Sequence, residues 1–389
     1  MGAASQSALE AERLAQATGN IPGAIISLSV AARCLLVAGH LHEAWRVLER
    51  AVRLGSELEW DLSLRMDQVY ALQAEILREW NRLDEALALT TEAIQRAERL
   101  GTPTTLLAVY AALARIELSR GDPEAARAAL ERGEDVKRRL DSTQLFSFVS
   151  SFHTIVTQMK LWLAQAERAR AARWAGELLR NGGSSAATGR EREEVALIRL
   201  LLAQDRPTEA RTRLMPLLER ATRQERWGHV IELRLLQAKT RLHEEQEALA
   251  CLSHALQLAE PEGYVRIFVD EGPWLEMLLR RLREQEHKEG PTPYLDTLLA
   301  AFPPRERAEQ HSWLPLQQGV LDPLSPRELE VLGQLSRGAS NYEIAQALVI
   351  TVETVKRHVG NILGKLRVNN RTQAGARARK LGLLADEAP

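Results

Sequence analysis

The residues best placed to do chemistry lie near the C-terminus, in the string Thr351-Val-Glu-Thr-Val-Lys-Arg-His358. Lys356 and Arg357 stand side by side, early in a stretch where Val355, Val359, Ile362, Leu363 and Leu366 recur at helical spacing. On a helix the opposite face shows Glu353, Lys356, Arg357, Gly360 and Gly364. A lysine or arginine on such a face can bond guanine O6 and N7, and one good contact is worth about 1–3 kcal/mol of base discrimination. The plain alternative is a pair of solvated surface charges, and the neighbouring elements decide between the two.

Three helix starts surround the pair. Ser325-Pro-Arg-Glu328 and Ser340-Asn-Tyr-Glu343 have the spacing of capping boxes. The first has proline at the opening helical position, where its missing N–H costs nothing. Thr351 opens a third helix, with Glu353 near its positive end. Gly338 ends the first helix, Val349–Thr351 is a short turn, and a fourth helix is expected from about Thr372 to Leu381. Gly375 weakens that helix by about 1 kcal/mol relative to alanine. Two short helices joined by a three- or four-residue turn form a helix-turn-helix, whose second helix enters the major groove. His358 sits beside the apolar stripe, which favours a structural role over base reading. Glu328 is expected to cap its helix and to pair with Arg371.

The charge distribution agrees. Residues 324–389 hold ten Lys/Arg against six Asp/Glu, a net +4, while residues 1–323 carry −5. A basic end on a mildly acidic body is the asymmetry expected of a nucleic-acid contact.

The rest of the 389 residues is helical in character, with few aromatics and an excess of Ala, Leu, Arg and Glu. A Glu-Ala step opens an amphipathic stretch at Glu43-Ala44, Glu85-Ala86, Glu124-Ala125, Glu209-Ala210 and Glu247-Ala248. The alanines lie 42, 39, 85 and 38 residues apart, and a weaker copy at Arg168-Ala169 divides the 85. Small or polar residues precede several copies, as at Gly39, Asn81 and Gly121, where one helix ends and the next begins. Six helix pairs of about 40 residues make a tetratricopeptide-like α-solenoid, in which each pair buries its apolar face against its neighbours. Tyr264–Val269 is a β-like run. Residues 283–323 contain six prolines; Tyr294–Phe302 has helical character, and Pro303–Pro323 reads as a connection.

The C-terminal string resembles the LuxR-type DNA-binding domain. The matching residues are Leu324-Ser-Pro-Arg-Glu-Leu-Glu-Val-Leu332, Gly338, Asn341, Glu343-Ile-Ala345, Leu348, Thr354-Val-Lys356, His358-Val359, Asn361-Ile362, Lys365-Leu366, Val368, Asn370-Arg-Thr372 and Ala374. The resemblance implies base contacts from Lys356 and Arg357, with Gly360 a departure from the usual side chain there. It implies phosphate-backbone contacts from Asn341, Thr351, Thr354, Lys365 and Arg371, and a dimer helix using Ala374, Ala378 and Leu381. The helical repeats followed by Glu262-Gly-Tyr-Val-Arg-Ile-Phe-Val-Asp-Glu-Gly272 resemble the maltose-regulator-like group, large ATP-binding LuxR-family regulators whose solenoid senses an inducer. Their phosphate loop is not found in these residues. Gly360–Leu366 is the nearest string, but it has three residues between its glycines and Leu after Lys. Whether the chain is part of a longer protein or a short version stays open.

Other chemistries find little support. Cys34 and Cys251 suit a reducing compartment rather than a disulfide framework. The histidines fit neither a zinc-protease nor a finger spacing. No nucleophile elbow or Cys-His pairing is evident, so no catalytic residue, metal or cofactor is expected. The most apolar stretch, Ala24–Gly39, is 16 residues with Arg33 inside, short of the ~20 that span a bilayer. No secretory signal is apparent. The sequence thus points to an all-α, cytoplasmic protein with a tetratricopeptide-like solenoid at 1–260, a β-like segment and connection at 261–323, and a four-helix LuxR-type helix-turn-helix domain at 324–389. Its expected partners are double-stranded promoter DNA, a second copy of itself on DNA, a small-molecule inducer or protein at the solenoid, and RNA polymerase. The alternatives are an interaction scaffold or the detached effector half of an ATP switch.

Overall fold

The computed structural model describes residues 2–56, 66–139, 151–181, 187–286, 293–303, 324, 326–348, 350–366, 368 and 370–380. It divides into two compact units, Met1–Phe302 and Pro303–Pro389. All regular structure among the described residues is helical.

In the first unit, α1 (Gly2–Ala17) precedes six antiparallel hairpins. These are α2 (Ile21–Ala38) with α3 (Leu41–Ser56), α4 (Met66–Glu79) with α5 (Leu83–Leu100), and α6 (Pro103–Arg120) with α7 (Pro123–Arg138). Then come α8 (Ser151–Ala164) with α9 (Arg168–Asn181), α10 (Ala187–Ala203) with α11 (Pro207–Arg223), and α12 (Trp227–Thr240) with α13 (Glu245–Ala259). The first five hairpins turn on one residue in the left-handed region, two positions before the second helix: Gly39, Asn81, Gly121, Ala166 and Asp205. The fourth residue of every second helix is a fully buried alanine: Ala44, Ala86, Ala126, Ala171, Ala210 and Ala248. A side chain no larger than methyl lets the two helices of a hairpin close. This corrects the register expected for two repeats, because Ala126 and Ala171, rather than Ala125 and Ala169, occupy the repeated position.

The coil of hairpins returns on itself. One core cluster joins Ile25, Leu28 and Leu48 of the first hairpin to Ile231, Leu235 and Leu252 of the sixth. At this junction Gly39 has φ 93°, and a Cβ there would lie 2.6 Å from the Gly228 amide nitrogen. Gly121 has a similar φ of 84° but open space around it. Gly121→Ala is therefore expected to cost only the left-handed penalty of about 1–2 kcal/mol. Gly39→Ala should cost clearly more in chemical denaturation, because the backbone of the sixth hairpin must also move.

Two expectations are overturned. Tyr264–Val269 is not strand-like: Arg266–Val269 is a short helix, α14, after a 3₁₀ turn at Glu260–Glu262. Its Tyr264, Val265, Phe268 and Val269 are buried among helices, and Arg266 and Asp270 pair across one helical turn. The β-branched residues serve burial, with no neighbouring strand among the described residues to pair with. The described residues 261–286 and 293–302 are also not a connection. Helices α15 (Pro273–Glu286) and α16 (Pro293–Ala301) bury Leu275, Leu278, Leu279, Leu295 and Leu298 in the same core. Of the expected connection at Pro303–Pro323, all but Pro303 lies outside the described residues.

Helix α2 is 18 residues long with a mean hydropathy of 1.9, so by length and composition it qualifies as a membrane span, contrary to the shorter stretch expected. Its Ile25, Leu28, Ala32 and Leu35 lie in the solenoid core, which accounts for the apolar sequence.

Candidate nucleic-acid interface

The second unit contains α17 (Pro326–Ser336), α18 (Asn341–Leu348), α19 (Val352–Lys365) and α20 (Arg371–Lys380). Their core is built from Leu324, Val331, Leu332, Leu335, Ile344, Val355, Ile362, Leu366, Ala374 and Ala378. Helix starts act as the sequence implied where they are described. The Ser340 amide donates to Glu343 Oε2 at 2.7 Å, and the Glu343 amide donates back to Ser340 Oγ at 3.3 Å. The backbone and side-chain bonds to Ser340 hold the Glu343 carboxyl below its usual range. The Thr351 hydroxyl accepts from the Thr354 amide at 3.2 Å and caps α19. Ser325 of the other expected box lies outside the described residues.

Helix α19 is fixed by one face and free on the other. Val355, His358 and Ile362 are buried, while Glu353, Lys356, Arg357, Gly360, Asn361 and Gly364 are exposed. Lys356 Nζ lies 3.3 Å from Glu353 Oε2, a weak exposed pair that a phosphate or base can displace at little cost. Asn361 was not singled out as a site residue, yet it is exposed one turn beyond Arg357. Its i, i+4 spacing is the signal that points to it. Asparagine can pair bidentately with adenine.

The residues expected at the phosphate backbone separate into two groups. Thr351 is exposed, and Thr354 and Asn341 are half-buried; all three lie at the N-terminal ends of α18 and α19, where backbone amides and the helix dipole favour an anion. Lys365 and Arg371 have internal partners. Lys365 Nζ lies 2.8 Å from Glu328 Oε2, with side-chain exposures of 12% and 0%. The partner expected for Glu328, Arg371, instead donates to the Ala339 carbonyl. Lys365 ends α19 and so faces Glu328 on the first turn of α17, whereas Arg371 opens α20 beside the loop before α18. Lys365→Ala takes the ammonium group away from a fully buried carboxylate, so the expected loss is about 3–5 kcal/mol of stability in the C-terminal unit. A phosphate contact would instead leave the melting curve unchanged and lower only the salt dependence of DNA binding.

The expected dimer helix is also revised. Ala374 and Ala378 are fully buried in their own unit's core, so they do not offer a surface to a second copy; Gln373, Ala376 and Arg377 form the exposed side of α20. Leu381 lies outside the described residues.

Comparison with known families fits both units. Residues 1–285 match the model of the MalT-like TPR region, and residues 322–378 match that of the bacterial regulatory proteins of the luxR family. The chain belongs to the MalT-like TPR family. With its luxR-type unit, this MalT-like chain is a DNA-binding transcription regulator. Among solved structures it is similar to BtubC (BKLC) from P. vanneervenii, at 18% identity over 68% of this chain and 91% of that one, with a TM-score of 0.35.

Proposed function

We propose that this MalT-like chain reads promoter DNA in the cytoplasm with the exposed face of α19, and that its solenoid responds to a small inducer or a partner protein. The observation that carries the reading is the division of α19. Val355, His358 and Ile362 anchor it, so the backbone holds Lys356, Arg357 and Asn361 on the exposed face. Thr351, Thr354 and Asn341 would register the helix on the backbone, since such contacts orient a protein without specifying sequence. One short helix reads few bases, so binding as a homodimer on two half-sites follows, with half-sites about one helical turn apart. RNA polymerase is the further partner that an activating role requires. No catalytic step is proposed.

The test is the salt dependence of duplex binding. A site that neutralises several phosphates should give a log–log slope near −0.9 for each one. A flat slope with weak binding would contradict the reading. A scaffold reading draws on one observation, the exposed Ile26, Val30 and Val37 along α2, and a scaffold would retain a protein partner while ignoring duplex.

A further inference from the structure

The first helices of five hairpins converge on the segment after α13. Arg78 of α4 and Ser119 of α6 bond Asp270, while Lys160 of α8 and Arg199 of α10 reach Glu271 at 3.5 and 2.8 Å. Lys239 of α12 lies over the Trp274 ring, 5.1 Å from its centroid, and senses the same Glu271 charge. Beside them Glu232 takes Arg192 at 2.9 Å and Arg199 at 3.1 Å.

The charges in this cluster do not balance. Asp270 and Glu79 are matched by Arg78 and Arg266. That leaves Lys160, Arg192, Arg199 and Lys239 sharing two carboxylates, Glu232 and Glu271, an excess of two positive charges among the described residues. Lys239 has no carboxylate at ion-pair distance among the described residues, and the buried Nε of Arg199 has no acceptor there. Burial, followed for Lys160 by Arg199, pushes both ammonium groups below their usual range. Lys160 and Arg192 keep 29% and 24% of their side-chain exposure, so the cluster is open to solvent.

We propose that the interior of the solenoid binds the phosphoryl group of a small soluble molecule, held by Lys160, Arg192 and Lys239 with Arg199 behind them. A phosphate monoester carries about −1.5 to −2 at neutral pH, which matches the excess, whereas a single carboxylate leaves one cation unmatched. The guanidinium fork of Arg192 and the ammonium groups of Lys160 and Lys239 are the donors that phosphate oxygens take. As the ligand class of the sensor, this rests on the reading of the solenoid as the sensing part; as a binding site, it rests on the cluster alone.

The experiment melts the full chain, without DNA, in inorganic phosphate, in glycerol phosphate, and in sodium chloride of equal ionic strength. Phosphate and glycerol phosphate should raise Tm saturably by roughly 3–8 °C over chloride. Lys239→Gln should melt no lower than the parent in chloride, because Lys239 has no carboxylate at ion-pair distance among the described residues, and Lys239→Gln and Lys160→Gln should each lose most of the phosphate response. No saturable rise over chloride, or an undiminished rise in both folded variants, overturns the proposal. A response to inorganic phosphate that glycerol phosphate fails to reproduce overturns the assignment to a phosphorylated molecule. Because DNA is absent, a chain that fails to bind duplex still reports on this site.

Discussion

Replacing both Lys356 and Arg357 by alanine is expected to reduce affinity for a selected operator by at least ~30-fold per subunit while leaving the melting temperature unchanged. Both side chains are exposed, and Lys356 makes a weak pair with Glu353, so their removal takes little from stability. Each base contact is worth about 1–3 kcal/mol, so losing two costs ~2–6 kcal/mol, and a dimer incurs the loss twice. Fluorescence anisotropy on operator and scrambled duplexes separates the contributions. Base contacts predict that the operator loses far more affinity than the scrambled duplex. Solvated charges that act only through the phosphates predict equal, small losses on both.

The second large effect lies in the solenoid. Asp270→Asn is expected to destabilise the solenoid by about 3–5 kcal/mol, lowering Tm by roughly 5–10 °C. Burial alone would raise the Asp270 carboxyl, but Arg266, Arg78 and Lys160, with the Ser119 hydroxyl, outweigh it and hold it down to about 2. The variant leaves these cations short of a carboxylate and weakens the ties of α4, α6 and α14 at once. The sign of the pH dependence follows from the depressed value. The stabilisation is complete above the ordinary carboxylate value of 3.8 and is lost as pH falls through about 2. Parent and variant should therefore differ fully at neutral pH, and the difference should narrow as pH falls from 4 through 2. A constant difference across that window would contradict the charge-based account.

The legible parts of the sequence were those that local chemistry determines. The helical repeats, the second capping box, the Thr351 cap and the exposed face of α19 all follow from contacts within four residues. The alanine register slipped by one residue at Ala126 and by two at Ala171, because the sequence signal was the Glu-Ala step while the physical requirement is a methyl at the fourth helical position. The less legible parts depend on partners distant in sequence. Asp270 pairs with Arg78 across 192 positions, and in sequence both look like ordinary surface charges. The apolar run at Tyr264–Val269 had the composition of a strand, yet it became a short helix because the solenoid surrounds it on several sides. Lys365 shows the same limit: its type suits a phosphate, and only the fold reveals Glu328 beneath it. Ala374 and Ala378 match the spacing of a dimer face but are used up by their own core.

The central claim is that α19 reads sequence, and selection from a pool of random duplex DNA by the full chain at moderate salt tests it most directly. The account predicts enrichment of one motif made of two half-sites, abolished in the Lys356→Ala/Arg357→Ala variant. A folded chain that enriches no motif, or a variant that enriches the same motif as the parent, would contradict it.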